Sequence, residues 1–304
     1  MSKSLDSLEN TFIIGDVHGC YHTLMGLVKK LPSDAKLIFV GDLCDKGDFS
    51  KDVIEFVKSN NYLCVKGNHE HLYEKYIIDA IENDTHSPWS SDKRYGGLQC
   101  IQSYKGDNAL IKEHLEWIKK LPTYIQCEKY FITHGFGLEY YKHRDNKEYY
   151  NDFLLNRLYK DTVEPNCDED IVNIFGHCIF DEVQVGKKYI CLDTGCSNGG
   201  KLSAIQLGTN KIYEQPMDKK DSSYIVKELK LQDLQLDSLT LKGIEDITFK
   251  GSCRYKQFDI VSNEVLEYIV KKFPNDCEKL ILDMKDRSII FPKQINKVLV
   301  DIKT

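Results

Sequence analysis

Apolar runs punctuated by glycine set the rhythm of the first two hundred residues. Phe12-Ile13-Ile14 leads into Gly15-Asp16-Val17-His18-Gly19, and Leu37-Ile38-Phe39-Val40 into Gly41-Asp42-Leu43-Cys44-Asp45-Lys46-Gly47. Tyr62-Leu63-Cys64-Val65 precedes Gly67-Asn68-His69-Glu70. Two later runs repeat the arrangement, Tyr130-Phe131-Ile132-Thr133 before His134-Gly135 and Ile171-Val172-Asn173-Ile174-Phe175 before Gly176-His177. Short apolar runs bounded by glycine read as buried strands. Between them the spacing turns helical, with Leu24, Leu27, Val28 and Leu31 inside Tyr21 to Leu31, and Val53, Ile54, Phe56 and Val57 inside Asp52 to Lys58. Further helices are expected over Glu70 to Glu82, launched from an Asn68-His69 turn, and over Leu98 to Lys120, broken near Gly106 and stopped before Pro122. Asp84 to Gly97 reads as a polar loop.

From Thr123 onward strands dominate: Thr123–Cys127, Tyr130–Thr133, Ile171–Phe175, Tyr189–Leu192 and Leu202–Leu207, with a polar, helix-prone insert at about 145–165. Helix-alternating strands followed by a run of strands predict an α/β (α+β) architecture of two packed mixed β-sheets flanked by helices. Met217-Asp218-Lys219-Lys220-Asp221-Ser222-Ser223 reads as a linker. It separates a main domain over 1–216 from a small α+β appendage over 217–304, with strands expected at Leu239–Phe249, Leu280–Leu282 and Ser288–Phe291 and a helix at Asn263–Phe273.

Composition narrows the setting. A chain of 304 residues can bury one sizeable core or two. The net charge of −6 weighs against a nucleic-acid coat, so no stable nucleic-acid binding is expected. Eleven cysteines without a CxxC pair suit a reducing compartment better than a disulfide framework. Neither a secretory leader nor a membrane span is evident, and the cytoplasm is the expected location. Only five arginines stand against 36 lysines, which matters wherever a phosphate must be held.

Ligands of α/β proteins gather at the carboxyl ends of strands. Five such ends here carry Asp, Asn or His: Asp16 and His18, Asp42, Asn68, His134 and His177. Two carboxylates, one amide oxygen and three imidazoles suit manganese, iron or zinc, because magnesium and calcium prefer all-oxygen shells; of the three, manganese is the expected ion. Two divalent ions against two carboxylates leave a positive site that attracts phosphate. A shared carboxylate can hold two metals at the separation used for in-line attack on phosphorus, with an ionised water supplied near neutral pH.

These strings resemble the signatures of the phosphoprotein phosphatase (PPP) family of calcineurin-like metallophosphoesterases: Gly-Asp-x-His-Gly at 15–19, Gly-Asp-x-x-Asp-x-Gly at 41–47 and Gly-Asn-His-Glu at 67–70. The two later histidines are similar too, and Gly96-Gly97 after Trp89, with Asp193-Thr194-Gly195 before Gly199-Gly200-Lys201-Leu202, resembles the bacterial and phage serine/threonine phosphatase branch. The resemblance spans about residues 10–215. It implies Asp16, His18 and Asp42 on one metal and Asp42, Asn68, His134 and His177 on the other, with Asp42 bridging.

His69 follows a ligand and is itself spare, so it can protonate a departing alkoxide, a role worth roughly 10²–10⁴-fold in rate. The family pattern implies that Asp45 orients it. Lys46 stands where the family places an arginine, keeping charge but losing bidentate geometry. Arg157, 23 residues after His134 in Phe153-Leu154-Leu155-Asn156-Arg157, matches the family's second arginine, with Asn156 replacing a hydrophobe. Lys46, Arg157 and Asn68 are thus the expected phosphate-binding side chains. Gly135 and Cys178 replace the common Ala and Thr. Cys20, Cys44 and Cys178, which flank the motifs, read as small buried residues, and His22, His71, His86, His114 and His143 as surface residues.

The expected activity is a dinuclear-metal phosphomonoesterase acting on phosphoserine and phosphothreonine esters by in-line attack of metal-bound hydroxide. Partners are then a phosphoprotein or a small phosphoester or nucleotide substrate. The alternatives are a symmetrical diadenosine tetraphosphate hydrolase or another nucleotide phosphoesterase, and a pseudophosphatase scaffold using the appendage. Asp45 and Glu70 favour the phosphatase, because the tetraphosphatases typically lack the first and carry Asp at the second.

Overall fold

The computed structural model describes residues 8, 10–83, 87–91, 95–159 and 170–221, together with the backbone of four later strands. Strands β1 (Thr11–Ile14), β2 (Lys36–Phe39) and β3 (Leu63–Cys64) alternate with helices α1 (Tyr21–Val28), α2 (Ser50–Ser59) and α3 (Asn68–Glu82). Helices α4 (Pro88–Ser91), α5 (Gly97–Ser103) and α6 (Asn108–Ile118) follow. The chain then runs through β4 (Tyr124–Cys127), β5 (Tyr130–Thr133), α7 (Tyr150–Leu155), β6 (Val172–Phe175), β7 (Gln184–Val185), β8 (Tyr189–Cys191), β9 (Lys201–Gln206) and β10 (Ile212–Pro216).

Two five-stranded mixed sheets result, ordered β10-β9-β1-β2-β3 and β4-β5-β6-β8-β7. In the first, β1, β2 and β3 are parallel, and β9 closes antiparallel against β1. In the second, β5, β6 and β8 are parallel, with β4 and β7 antiparallel at the edges. The two-residue side-chain period divides each strand between two cores. Phe12, Ile14, Leu37 and Phe39 face the helices, packing with Leu24, Val53, Tyr73 and Ile111. Ile13, Ile38, Val40 and Val65 face the other way, against Ile132, Ile174 and Ile190 of the second sheet. Phe131 and Phe175 cover that sheet's outer side with Phe136, Tyr141 and Phe153. Strands buried on both faces read as continuous apolar runs, which is why the sequence marks them so clearly.

The sheets follow the expected strands, with differences at the ends. The run Tyr62–Val65 pairs over only two residues, and α1 stops at Val28 rather than Leu31. Asn68 and His69 lie in the first turn of α3 instead of a preceding turn. Strand β8 falls within the expected Tyr189–Leu192, whereas β7 and β10 were not expected, because Gln184–Val185 and Ile212–Pro216 are partly exposed and lack a clear alternation. The predicted loop over 84–97 contains the turn α4. Within the insert at 145–165, residues 150–155 are helical and 160–169 lie outside the described residues.

Contacts divide the chain into two compact units, Met1–Ser222 and Ser223–Thr304. In the second, β11 (Val226–Leu229), β12 (Tyr255–Phe258), β13 (Leu280–Asp283) and β14 (Ser288–Pro292) form an antiparallel sheet ordered β11-β13-β14-β12. The expected strand at Leu239–Phe249 and helix at Asn263–Phe273 lie outside the described residues, as does His86.

The segment expected to be a linker is instead docked on the first unit through Asp221. Helix α1 has no side-chain cap of its own at Cys20. Asp221, fully buried, supplies one from 198 residues away, accepting the N–H groups of His22 and Thr23, both at 2.7 Å, and the Thr23 hydroxyl at 2.6 Å. Its negative charge also complements the positive end of the helix. Its carbonyl accepts the Asp48 N–H at 2.9 Å, tying the chain exit to the Lys46–Asp48 loop. Asp221→Ala should lower unfolding free energy by about 2–3 kcal/mol, since it orphans buried donors, with Asp221→Asn losing less; urea titration of the two variants measures both.

His114, expected on the surface, is fully buried. Its Nδ1 accepts from the Tyr104 hydroxyl at 2.7 Å and its Nε2–H donates to Glu55 at 2.7 Å, joining α6 to α2. Burial is the main cause that pushes its pKa below the ordinary value, against the pull of Glu55. The unfolded chain therefore binds a proton more readily than the native one, so this contribution is present above about pH 6.5 and lost as pH falls. His114→Gln should show a shallower loss of stability between neutral and mildly acid pH than the parent, read from denaturation midpoints across that range.

Candidate metal centre

Asp16 follows β1, Asp42 follows β2, Asn68 opens α3 after β3, His134 follows β5 and His177 follows β6. The parallel strands deliver all five to one end of the paired sheets, and Asp42 is common to both metal-competent groups there. His18, Asp42 and His69 bring ligand atoms within 4.8 Å of one another, as do Asp42, His134 and His177. All of these side chains are buried or nearly so. His18 Nε2 lies 3.4 Å from Asp42 Oδ2 and His134 Nε2 lies 3.3 Å from Asp42 Oδ1, on opposite oxygens. Asn68 Oδ1 is 2.9 Å from His134 Nε2.

The donors are held by the backbone. His134 Nδ1 donates to the Val40 carbonyl at 2.9 Å and His18 Nδ1 to the Cys44 carbonyl at 3.0 Å, so each imidazole presents Nε2 to the centre. Asp16 Oδ2 accepts the His177 N–H at 3.1 Å, whereas Asp16 Oδ1 and His177 Nε2 are buried without a hydrogen-bond partner among the described residues. Two unsatisfied donor atoms, with mixed N/O chemistry around a shared carboxylate, fit two divalent cations. Residues His18, Asp42 and His177 adopt φ of 49°, 51° and 61°, and Asp45 and Lys46 of 72° and 62°. Backbone strain of this kind persists where surrounding structure imposes it, and it concentrates at functional sites.

Electrostatics tell the same story. Burial and the neighbouring Asp193 push Asp16 well above the usual carboxylate range. Burial also opposes charge on Asp42, but His134, His69 and His18 together hold it well below that range. His134 is raised to about 10, the Asp42 carboxylate overriding the cost of burial, while burial and the charge of His134 lower His177 to about 3. Burial and Lys46 depress His18.

The remaining expected residues converge as well. His69 Nδ1 meets Asp45 Oδ2 at 2.7 Å, and its Nε2 is 3.9 Å from Asp42 Oδ2. Lys46 Nζ lies 2.8 Å from His18 Nε2. Arg157, exposed and just beyond α7, donates to the His177 carbonyl at 3.3 Å. Asn156, which replaces the expected hydrophobe, ties α7 to the loop after His134 by donating to the Phe136 carbonyl at 2.8 Å. Cys20, Cys44 and Cys178 are buried, and burial pushes the Cys44 thiol well up and the Cys178 thiol to about 11, which suits packing rather than reactivity.

Three residues that the sequence reading named only as marks of the family resemblance turn out to hold the centre in place. Glu70 faces the backbone, accepting the N–H groups of Asp42 and Leu43 at 2.7 Å and Gly67 at 2.9 Å. Asp193, buried after β8, senses both Asp16 and Lys46; its place after an apolar strand and before a glycine was the available signal. Trp89 donates its indole N–H to Asp45 Oδ2 at 2.7 Å, and nothing in its local sequence marks that role.

A fold of two mixed sheets with a buried histidine–aspartate cluster at their strand ends defines a metal-dependent phosphoesterase. The chain belongs to the calcineurin-like phosphoesterase family, whose profile matches residues 10–212. It is 30% identical over 208 residues to serine/threonine-protein phosphatase 2 of Escherichia coli (strain K12), a match covering 63% of this chain and 90% of that protein. It is 29% identical to the asymmetrical bis(5'-nucleosyl)-tetraphosphatase PrpE of Geobacillus sp. (strain WCH70), over 64% of this chain and 89% of that protein. The symmetrical bis(5'-nucleosyl)-tetraphosphatase of Coxiella burnetii (strain Dugway 5J108-111) is 29% identical, over 68% and 91%. A solved structure of a candidate diadenosine tetraphosphatase shares the fold, with a TM-score of 0.51 at 22% identity over 68% of this chain and 92% of that one. Among the described residues no helix is long and apolar enough to cross a membrane.

Gly176 leaves no room for a side chain, because a Cβ there would overlap Asp16 Oδ1. Gly176→Ala should displace that carboxylate and lower bound metal toward half the wild-type content, with little change in circular dichroism; elemental analysis of the purified protein measures it.

Proposed function

We propose that this protein is a dinuclear phosphomonoesterase acting on phosphoserine- and phosphothreonine-type esters, with Asp16, His18, Asp42, Asn68, His134 and His177 as metal ligands and Asp42 shared. Two divalent ions, manganese in our reading, would supply Lewis acidity and an ionised water. The reaction consumes one water: the P–O bond to the alkoxide breaks, a new P–O bond forms in line, and the products are an alcohol and inorganic phosphate. Lys46 and Arg157 offer cationic donors to the phosphoryl oxygens, and Asn68 stands beside them. His69, with Nδ1 held by Asp45, delivers the proton from Nε2 to the departing oxygen.

The observation that carries this reading is the buried Asp45–His69 pair at 2.7 Å, set beside the shared carboxylate. An alkoxide is a strong base and leaves slowly unless protonated, so a fixed imidazole donor suits an alkyl ester. A phosphate leaving group from a dinucleotide polyphosphate is a much weaker base and gains less from such an acid. The second reading, a dinucleotide tetraphosphatase, draws support from the relatives named above and from Lys46, which lacks the fork of an arginine.

Manganese-stimulated hydrolysis of p-nitrophenyl phosphate should fall by at least about 10³-fold in Asp42→Asn, which weakens both metals; normal turnover of that variant rejects the shared-ligand assignment. Comparison of kcat/KM on phosphoserine, phosphothreonine and phosphotyrosine peptides, diadenosine tetraphosphate and RNA 2′,3′-cyclic phosphate should favour the first two. A strong preference for the dinucleotide would replace the leading reading with the second.

A further inference from the structure

Asp45 is an unusual partner for a catalytic imidazole because it is fully buried and serves two donors with one oxygen. Oδ2 accepts from both His69 Nδ1 and the indole N–H of Trp89, each at 2.7 Å, while Oδ1 has no partner among the described residues. Its own N–H is held by the Ser50 hydroxyl at 2.9 Å. A carboxylate with one oxygen anchored in this way is prevented from rotating its other oxygen toward the imidazole.

The indole is equally constrained. Trp89 is fully buried on α4 and meets Tyr73 of α3 edge-on, with ring centroids 6.1 Å apart. Gly97 lies against its face, where a Cβ would come within 2.5 Å of Cδ2 and Cε2. Gly96, at φ 76°, lets the same turn approach the backbone of Lys46, which a Cβ would overlap. The Gly96-Gly97 pair thus seats Trp89 against Asp45 and closes the helical layer over the Asp45–Lys46 loop. A donor buried this deeply is costly to leave unpaired, so the Trp89–Asp45 bond is maintained in the folded protein.

We propose that Trp89 is a positioning residue: its indole N–H fixes Asp45 Oδ2, and through it the orientation and tautomer of His69, so that Nε2 faces the departing oxygen. The inference rests on the acid role of His69 proposed above. It differs from a packing role in what its loss does. A packing residue affects all substrates alike, whereas a residue that aims an acid matters only where the leaving group needs a proton.

The test compares the full chain with Trp89→Phe, Trp117→Phe and His69→Asn, each loaded with manganese and checked for metal content, on a phosphoserine peptide and on p-nitrophenyl phosphate. Trp89→Phe keeps the ring and removes the donor. It should lower kcat on the peptide about tenfold, with KM and the kcat for p-nitrophenyl phosphate changed less than about twofold, and Trp117→Phe should match the parent on both. Loss that is equal on the two substrates, or absent, while His69→Asn loses selectively on the peptide, overturns the Trp89 role and leaves the acid reading standing. If His69→Asn itself shows no leaving-group selectivity, the acid reading fails and the Trp89 role falls with it. Should Trp89→Phe not fold, the amide–indole ¹⁵N spectrum decides. The Trp89 Nε1–H resonance, told apart from that of Trp117 by the Trp117→Phe variant, should be slow to exchange and should move in Asp45→Asn. An indole proton that exchanges freely or ignores that substitution refutes the contact.

Discussion

The candidate centre depends on one buried carboxylate that touches no candidate metal ligand atom. Glu70 accepts the N–H groups of Asp42, Leu43 and Gly67, so a single side chain on the first turn of α3 clamps the loop after β2 to the loop after β3. Asp42 and Asp45 lie on one side of that clamp, and Asn68 and His69 on the other. Asp42 closes it by accepting the His69 N–H at 3.0 Å. Burial and the nearby Asp42 charge push Glu70 above the usual carboxylate range, and the backbone donors counter that cost. The clamp also explains a glutamate here: its reach spans both loops while leaving the helix start free for Asn68 and His69.

Given that clamp, the site becomes a reservoir of unfavourable electrostatics and strained backbone. Asp16, Asp42, Glu70 and Asp193 are all buried within one neighbourhood; burial and Asp193 raise Asp16, and burial and the Asp42 charge raise Asp193. The Asp42 carboxylate raises His134 to about 10 against the cost of burial, and Lys46 brings a cation beside His18. Such a cluster is expensive for a stable fold to maintain and attractive to divalent cations. The left-handed backbone at His18, Asp42 and His177 adds to that cost, and the parallel strands that end just before these residues hold them in place.

Much of this was legible in the chain. Strands buried on both faces must be apolar throughout, so β1, β2, β5 and β6 announce themselves, and the Asp, Asn and His that follow them stand out against glycine. Legibility failed where a residue's role depends on distant partners. His114 carries no motif, yet it is buried between Tyr104 and Glu55. Asp221 sits in a polar, lysine-flanked stretch that reads as linker, yet it caps a helix that begins two hundred residues earlier. Edge strands β7 and β10 were missed because partial exposure blurs the alternation that marks a strand.

The sequence by itself determined which side chains are available to the centre and that they lie at strand ends, because burial patterns and glycine breaks are local properties. Only the tertiary structure decided which of them share an oxygen, which face the backbone and which aim another residue. Glu70 and His69 are neighbours in sequence, yet one grips the backbone of the Asp42 loop while the other meets Asp45. Trp89 shows the same division, since a tryptophan in a polar stretch becomes a donor to Asp45 only after α4 packs across the loop that carries it. Hydrogen-bond geometry arises between segments far apart in the chain, and no local pattern of hydrophobic and polar residues encodes it.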